Sequence, residues 1–479
     1  MSTPRRDTSS RVAIDSSTRR RVIVVALSAA MGGLLFGYET AVINGAVDAL
    51  SGTESGFGLS STLTGLAVGG GLLGCAVGAW FAGHIANRRG RVPTILAAAV
   101  MFLLSAIVTA FAPNVWVFIA FRIVGGFGVG LASVIGPAYI AEIAPTRMRG
   151  FLTSFQQFAI GIGVTLSMVA NASLASVSGG ANEPLWFGVA TWRWMLFAMV
   201  VPALVMLIAA LKLPETPRYL VMKGDLAGAE RFLARMGEGE FAAARVQEIH
   251  RSLEGEPKPS LSALRGKTLG LKKVVWIAMG VALFQQLSGI NIILYFDSSI
   301  WQSVGFGEQQ ALNIAVIRSL AGIAVTVAAM FMVDRVGRRR LLLWGSYGMS
   351  AGLAVASIGF ANATQVEDGL RLEGVWAPIT LVAVYFFALV FAMTWGPVMW
   401  VVIAEIFPNN IRAIGVSVAA TVNWIGNYLV SQTFPMLQSS VGISGAYVAY
   451  TIFAVLGLIF VLKWVPETNG VALEDMSNE

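Results

Sequence analysis

Apolar and polar residues alternate along this chain in long blocks, and twelve of the apolar blocks have similar lengths. The first six cover residues 22–47, 62–86, 92–112, 115–141, 151–175 and 192–213, and the second six cover 274–300, 309–333, 341–361, 377–404, 413–436 and 443–465. A helix needs roughly 20 apolar residues to cross the hydrocarbon core of a bilayer. The pattern therefore predicts an all-α polytopic membrane protein with twelve transmembrane helices.

The polar blocks divide the chain into two halves of six helices each. We predict an N-terminal tail at 1–21, a first half at 22–213, a linker at 214–272, a second half at 273–465 and a C-terminal tail at 466–479. The linker has apolar residues at helical spacing with charges between them, which is typical of short amphipathic helices. Six crossings per half place both tails and the linker on the same side of the membrane.

Composition and charge position support this topology. Hydrophobic residues make up 56% of the chain, charged residues only 12%, and the mean hydropathy is +0.72, which excludes a soluble globular protein. The net charge of +7 does not indicate nucleic acid, because the basic residues gather on one side of the predicted membrane; the exceptions among the 33 are Arg122, Arg193, Arg318 and Arg371. Basic residues favour the cytoplasmic side. We therefore predict a plasma-membrane protein with both termini in the cytoplasm.

The chain lacks the usual residues of a metal or catalytic centre. Cys75 is the single cysteine, and His84 and His250 are the only histidines. No spacing of these residues is typical of a zinc site. No His, Cys or paired carboxylates gather in the apolar segments, so we expect neither an enzyme nor a metal or organic cofactor.

Two apolar segments each contain one charge within the depth of the membrane. Glu39 lies in the first segment and Arg122 in the fourth. If the two helices run in opposite directions, both residues lie roughly 10–14 Å below the outer surface at ~1.5 Å per residue. A carboxylate in hydrocarbon is costly unless it is paired or protonated, so we predict that the two residues meet. The pair serves either a function or helix packing alone.

Three motifs occur once in each half and in the same order. Glu-x-x-Pro-x-x-x-Arg begins at Glu142 and at Glu405, Asn/Asp-Arg-x-Gly-Arg begins at Asn87 and at Asp334, and Pro-Glu-Thr begins at Pro214 and at Pro466. All of them lie at cytoplasmic helix ends. The arginines either set the topology, or also pair with the acidic residues to hold the halves together on that side. We refer to the second possibility as the cytoplasmic charge latch, formed by Arg91, Glu142, Arg149, Asp334, Arg338, Glu405 and Arg412.

The motifs together resemble those of one family. The chain is similar over nearly its whole length to the sugar porters of the major facilitator superfamily, and within it to bacterial hexose:proton symporters. The resemblance rests on GYETAVING, NRRGR, FRIVGG, GPAYIAEIAPTRMRG, PETPR, QQLSGIN, DRVGRRR, WGPVMWVVIAEIFP, NWIGNY and PETNG. It implies the two-half major facilitator fold and import of a sugar, with glucose as first candidate, together with a proton.

The resemblance also implies roles for particular residues. It assigns proton coupling to Glu39 and Arg122, and a gate to Tyr295. It assigns sugar binding to Gln157, Gln285, Gln286, Asn291, Trp400, Asn423 and Asn427. Residue chemistry agrees, because carboxamides offer both donors and acceptors to a neutral polyol. Gln285, Gln286 and Asn291 would share one cavity if the helix breaks at Ser288–Gly289. Gly396 and Pro397 interrupt the tenth segment and predict a hinge.

Two departures from the family pattern leave the substrate open. Gly322 occupies a position where the family usually has an Asn that contacts sugar, with Arg318 one turn away. Glu39 is one methylene longer than the Asp that proton-coupled members usually carry. A facilitative sugar carrier, a symporter for a polyol such as inositol and a membrane sugar sensor remain alternatives. We expect a monomer whose partners are the sugar, the proton and the lipid bilayer.

Overall fold

The first half consists of long helices joined by short loops. The computed structural model describes residues 16–53, 56–143, 149–254, 261–366, 369–408 and 411–468. The helices of the first half are α1 (Ser16–Val42), α2 (Val47–Ser51), α3 (Ser61–Arg89), α4 (Arg91–Ala110), α5 (Val115–Ile143), α6 (Arg149–Ser178), α7 (Thr191–Phe197) and α8 (Val200–Leu211), with 3-10 turns at Ile43–Gly45 and Trp186–Gly188. We call the face at which α1 begins the inner face, and the opposite one the outer face.

The linker consists of short helices and turns, and the second half consists of long helices with more breaks than in the first half. The linker contains α9 (Pro217–Met222), α10 (Leu226–Leu233), a π turn (Ala234–Glu238), 3-10 turns at Gly239–Phe241 and Leu261–Leu264, α11 (Ala242–Glu254) and β1 (Arg265–Thr268). The second half contains α12 (Lys273–Leu287), α13 (Ile290–Tyr295), α14 (Asp297–Gln302), α15 (Glu308–Val336), α16 (Arg338–Ala361), α17 (Trp376–Met393), α18 (Trp395–Ile406) and α19 (Arg412–Trp464). An antiparallel hairpin of β2 (Thr364–Val366) and β3 (Gly369–Arg371) lies between α16 and α17.

Ten helices in the described ranges are long and apolar enough to cross a membrane, compared with twelve predicted segments. The difference arises at two places. The segment predicted at 274–300 is divided among α12, α13 and α14, and each part is too short to cross alone. The 53-residue α19 contains the last two predicted segments, with a break at Gly442, where φ is 75°. One difference divides a predicted segment and the other joins two neighbouring segments, so the observed helices account for all twelve segments.

Glycine allows the helix backbones of the first half to touch. A Cβ on Gly126 of α5 would lie 1.7 Å from the carbonyl oxygen of Gly71 on α3, and one on Gly37 of α1 would lie 2.0 Å from the carbonyl oxygen of Ile160 on α6. Small residues allow this approach between membrane helices, where packing replaces the hydrophobic effect. This close packing fixes α5 against α3 and α1 against α6. Glu39 lies on α1 and Arg122 on α5.

The repeated motifs form the same local structure at the inner face of each half. In the first half, Glu215 accepts hydrogen bonds from the backbone nitrogens of Arg91 (3.1 Å) and Val92 (3.2 Å), which begin α4. In the second half, Glu467 accepts from the backbone nitrogens of Arg338 (2.9 Å) and Arg339 (3.2 Å), which begin α16. A carboxylate satisfies the free N–H groups of a helix N-terminus and suits its dipole. The Pro-Glu-Thr motif therefore caps one helix in each half.

Hydrogen bonds join the two halves at the outer face. Gln432 of α19 donates to the carbonyl oxygen of Thr62 on α3 (2.9 Å), and the backbone nitrogen of Ala181 donates to Glu308 of α15 (2.7 Å). Gln309 donates to the carbonyl oxygen of Ala172 on α6 (3.2 Å). The outer face is thus closed in this conformation.

Candidate transport site

Glu39 and Arg122 meet inside the first half, as the sequence predicts. The two residues are 3% and 4% exposed, and Arg122 Nη1 lies 2.5 Å from Glu39 Oε1. The same nitrogen also donates to the Glu39 backbone oxygen at 3.3 Å. A pair buried to this extent is a weak source of stability and a frequent functional element.

A glycine and a serine lie beside the ion pair. A Cβ on Gly125 would lie 2.4 Å from Ser105 Oγ and 3.1 Å from Glu39 Oε1, so only glycine leaves room for both oxygens. Ser105 is 1% exposed, and its hydroxyl has no hydrogen-bond partner among the described residues. Ser105 is not recognisable from the sequence, because a lone serine in an apolar segment usually bonds to its own helix.

The ion pair borders a cavity that also reaches the predicted gate. The cavity is lined by Glu39, Thr40, Val68, Gly71, Leu72, Cys75, Arg122, Gly126, Val129 and Tyr295. The Tyr295 hydroxyl in turn accepts a hydrogen bond from Asn427 Nδ2 at 3.3 Å. Tyr295 therefore lines the cavity beside the ion pair and is hydrogen-bonded to one predicted sugar-binding residue, Asn427.

The seventh predicted segment breaks where the sequence places the break. α12 ends at Leu287, α13 begins at Ile290, and Gly289 between them has a φ of 82°. The positive φ favours glycine at this position. Space is a second reason, because a Cβ there would lie 2.8 Å from the Tyr450 ring. The break brings Asn291 back toward α12, so the predicted common cavity has a structural basis.

Carboxamides around this break form a continuous chain of hydrogen bonds. Asn291 Nδ2 donates to Gln286 Oε1, and Gln286 Nε2 donates to Gln285 Oε1 at 3.1 Å. Asn423 Nδ2 donates to the same Gln285 oxygen at 2.8 Å. Four of the predicted sugar-binding residues are therefore brought together by hydrogen bonds between their own side chains.

The tenth predicted segment breaks near the predicted hinge, but three residues before Pro397. α17 ends at Met393, and Thr394 has φ −122° and ψ −85°, outside helical geometry. Gly396 and Pro397 lie in the first turn of α18, where a missing backbone N–H costs no helical hydrogen bond. Gln285 Nε2 donates to the buried carbonyl oxygen of Trp395, the residue after the break, at 3.0 Å. The break thus supplies a partner for the carboxamide chain.

Three predicted sugar-binding residues lie outside the carboxamide chain in the described hydrogen bonds: Asn427, which is bonded to Tyr295, Gln157 and Trp400. Gln157 is exposed, and its neighbour Gln156 is the buried one, at 3% exposure, with both amide atoms unpaired among the described residues. Trp400 is 37% exposed. Their sugar-binding roles stay predictions.

The charge latch differs from its prediction in one respect. Arg91 pairs with Glu142, and Arg338 pairs with Glu405, each at 2.9 Å. Both partners of each pair belong to the same half, so in this conformation the two pairs join helices within each half. The outer face is closed here, and a latch between the halves at the inner face stays a prediction. Arg412 donates to the Phe407 backbone oxygen at 3.2 Å. The side chains of Arg149 and Asp334 lie outside the described residues.

The first departure from the family pattern is Gly322 with Arg318 one turn away, and these two residues have different structural settings. Gly322 borders open space, since a Cβ there would meet no atom within 4 Å. Arg318 Nε instead pairs with Asp297 Oδ2 at 3.0 Å, and Asp297 is 1% exposed. The sequence analysis missed Asp297, although it is the one charged residue of its apolar segment, the same signal that identified Glu39.

A bundle of apolar helices in two similar halves, with a buried ion pair and a polar cluster at helix breaks, defines a membrane transporter. Within the described residues there is no group of three His, Cys, Asp or Glu side chains that could hold a metal ion. The chain matches the family described as "Sugar (and other) transporter" over residues 25–479 and belongs to that family.

Similar proteins support this assignment over almost the full chain. A glucose transport protein of Synechocystis sp. is 43% identical over 456 residues, covering 95% of this chain and 97% of the relative. The D-xylose-proton symporter of Escherichia coli is 35% identical over 487 residues, covering 95% of each. The inward-open structure of the E. coli xylose transporter XylE superimposes with a TM-score of 0.80 at 34% identity, covering 95% of this chain and 99% of that one. The predicted fold, family and non-enzymatic class are confirmed.

Proposed function

We propose that the protein imports a hexose, with glucose as first candidate, together with a proton by alternating access. One observation carries this proposal. The Glu39–Arg122 pair borders the same cavity as Tyr295, which is hydrogen-bonded to Asn427. A proton bound at Glu39 and a sugar bound at the carboxamides would thus act on one shared side chain. No cofactor is needed, because the proton gradient supplies the free energy.

The ion pair provides the coupling step. With the outer face open, Glu39 binds a proton, loses its charge and releases Arg122. The guanidinium then loses the bond to Glu39 Oε1 and keeps only neutral partners such as the Glu39 backbone oxygen. Sugar binding and closure of the outer face follow. Proton release to the inner side restores the pair after the sugar has left.

The carboxamide chain suits a neutral sugar. In the conformation with the closed outer face, Gln285, Gln286 and Asn291 are hydrogen-bonded to one another. Sugar hydroxyls, which both donate and accept, can replace these bonds without leaving a buried polar atom unpaired. Trp400 offers an apolar ring for the C–H face of the sugar, and Gln157 offers a further carboxamide.

The relatives favour proton-coupled sugar transport over the alternatives. One is named a glucose transport protein and another a D-xylose-proton symporter. These activities belong to those proteins, and both relatives are aligned over almost their whole length. A carboxylate at Glu39 with its arginine partner in place favours coupling over facilitated diffusion.

Uptake into proteoliposomes tests the proposal. Radiolabelled glucose, xylose and myo-inositol are offered to wild type, Glu39→Gln and Glu248→Gln with and without an inward proton gradient. Glu248 is the matched control, since its side chain lies in the linker and is 66% exposed. We expect the wild type and the control to accumulate glucose above equilibrium, and Glu39→Gln to catalyse exchange only. Uptake that does not depend on the proton gradient in wild type and both variants would show that the protein is a facilitator.

We also propose that the inner face lies in the cytoplasm and that the protein works in the plasma membrane as a monomer, since one chain supplies both halves of the site. Single cysteines at Ser252 in the linker and Asn362 at the outer face, in a Cys75→Ser background, test the orientation. A membrane-impermeant maleimide added to intact cells should label Asn362→Cys and leave Ser252→Cys unlabelled. The reverse labelling would contradict the topology.

A further inference from the structure

A second buried ion pair lies in the second half, away from Glu39. Asp297, the first residue of α14, is 1% exposed. Its Oδ2 accepts from Arg318 Nε on α15 at 3.0 Å, and its Oδ1 accepts from Trp301 Nε1 at 2.9 Å and from the Tyr385 hydroxyl on α17 at 3.0 Å. We call Asp297, Trp301, Arg318 and Tyr385 the Asp297 cluster. It fastens α14 to two neighbouring helices of its own half.

The other side of α14 is bonded to the first half. Ser299 Oγ donates to Asp48 Oδ1 at 2.5 Å, and Gln302 Nε2 donates to Asp48 Oδ2 at 2.9 Å. Ser298 Oγ donates to the Asn44 backbone oxygen at 2.7 Å. These bonds must break whenever the outer face opens, because their partners belong to different halves.

The helix that carries both sets of contacts cannot fix its own position. α14 has only six residues, and Phe296 before it has a φ of −121°, outside helical geometry. A helix this short is held by its packing and hydrogen bonds, and not by its own cooperativity. Tyr295, the gate residue of the proposed site, lies two residues before Asp297. The contacts of Asp297 therefore set the outer end of the segment that carries the gate.

We propose that the Asp297 cluster positions the gate. It keeps α14, and with it Tyr295, seated on the second half while the bonds from α14 to Asp48 and Asn44 form and break. Asp297 and Arg318 are positioning residues for transport. Arg318 is neutralised by Asp297 and is not a sugar ligand.

Two variants loosen the cluster to different degrees. Asp297→Asn removes the ion pair. Tyr385→Phe removes the hydrogen bonds that the phenol makes with Asp297 and Trp301, while the ion pair stays. Tyr347→Phe is the matched control, because Tyr347 is 55% exposed and lies outside the cluster. Spin labels at Thr62→Cys in the first half and Ser440→Cys in the second, in a Cys75→Ser background, report the distance across the outer face.

The distance measurement decides the proposal without any sugar. We expect one dominant distance in wild type and Tyr347→Phe, and a broader distribution extended to longer distances in Tyr385→Phe and more so in Asp297→Asn. Distributions that superimpose on wild type in both cluster variants would overturn the proposal.

A kinetic measurement tests the link to Tyr295, and this part rests on the proposed function. In sugar exchange, we expect Asp297→Asn to raise KM about tenfold and Tyr385→Phe about threefold, as expected for lost charged and neutral hydrogen bonds, with Vmax within about twofold. An unchanged KM, or a KM increase matched by a lower melting temperature without sugar, would overturn the positioning role. If the wild type exchanges no sugar, the proposed function fails, and the distance measurement still decides this inference.

Discussion

Single residues set the chemistry of the site, and a lone charge in an apolar segment is the most informative signal of such a residue. Glu39 and Arg122 are recognisable in this way, and the structure joins them at 2.5 Å. Asp297 carries the same signal. Ser105 does not, because its importance depends on the space left by Gly125, and no sequence pattern reports the contacts between α4 and α5.

Gly125→Ala should impair coupling. The added Cβ would lie 2.4 Å from Ser105 Oγ and 3.1 Å from Glu39 Oε1, so the ion pair must shift. Overpacking of this kind costs ~1–3 kcal/mol. We expect proton-driven accumulation to fall more than sugar exchange, measured in the same proteoliposomes.

Gly83→Ala is the control for this prediction. Gly83 lies within α3, and a Cβ there meets no atom within 4 Å. Equal losses of accumulation in both variants would show that the Gly125 contact is not the cause.

Gly322→Asn should strengthen sugar binding. The site has room for a side chain, and a new neutral hydrogen bond contributes about 1 kcal/mol, or roughly a fivefold lower KM for glucose. Gly322→Ala fills the same space without a donor and should leave KM near the wild-type value. A KM for Gly322→Asn at or above that of Gly322→Ala would remove Gly322 from the sugar site.

At the scale of helices, the sequence predicts the positions of the helices better than the positions of the breaks within them. The break at Gly289 is predictable, because glycine interrupts a run of carboxamides. The break at Thr394 precedes the predicted Gly396–Pro397, because proline fits the first turn of the next helix and marks its start. The separation of α13 from α14 at Phe296 has no glycine or proline, so no local sequence signal marks it.

Gly289→Ala should raise KM and lower stability. The position requires a φ of 82°, and the Cβ would lie 2.8 Å from the Tyr450 ring. We expect a loss of ~1–3 kcal/mol in unfolding free energy and a higher KM for exchange, measured by thermal unfolding and uptake.

Gly270→Ala separates the two causes. Gly270 has a similar φ of 86°, and a Cβ there meets no atom within 4 Å. It should share the backbone strain and leave KM unchanged. A KM increase of similar size in Gly270→Ala would show that the Gly289 effect is not local to the site.

For the whole molecule, the two halves and their internal repeat follow from the sequence, whereas the pairing of the repeated charges does not. Arg91 and Arg338 each have a carboxylate partner within the same half. Sequence spacing cannot distinguish this from pairing across the halves, because all four residues lie at the same face. The conformation, closed at the outer face, is likewise a property of tertiary contacts.

A double-mutant cycle tests the pairing within halves. We expect Arg91→Gln and Glu142→Gln to be coupled by at least about 1 kcal/mol in unfolding free energy, since one buried pair joins them. Arg91→Gln and Glu405→Gln should be additive within about 0.5 kcal/mol. The opposite result would restore a latch between the halves.

The most direct test of the account is sugar-driven proton movement. Glucose is added outside proteoliposomes that hold a pH-sensitive dye, with no gradient imposed, and the lumen is followed for wild type, Glu39→Gln and Glu248→Gln. We expect acidification with wild type and Glu248→Gln, and none with Glu39→Gln, although that variant still exchanges glucose. Acidification by Glu39→Gln equal to that of wild type would contradict the assignment of the proton to Glu39.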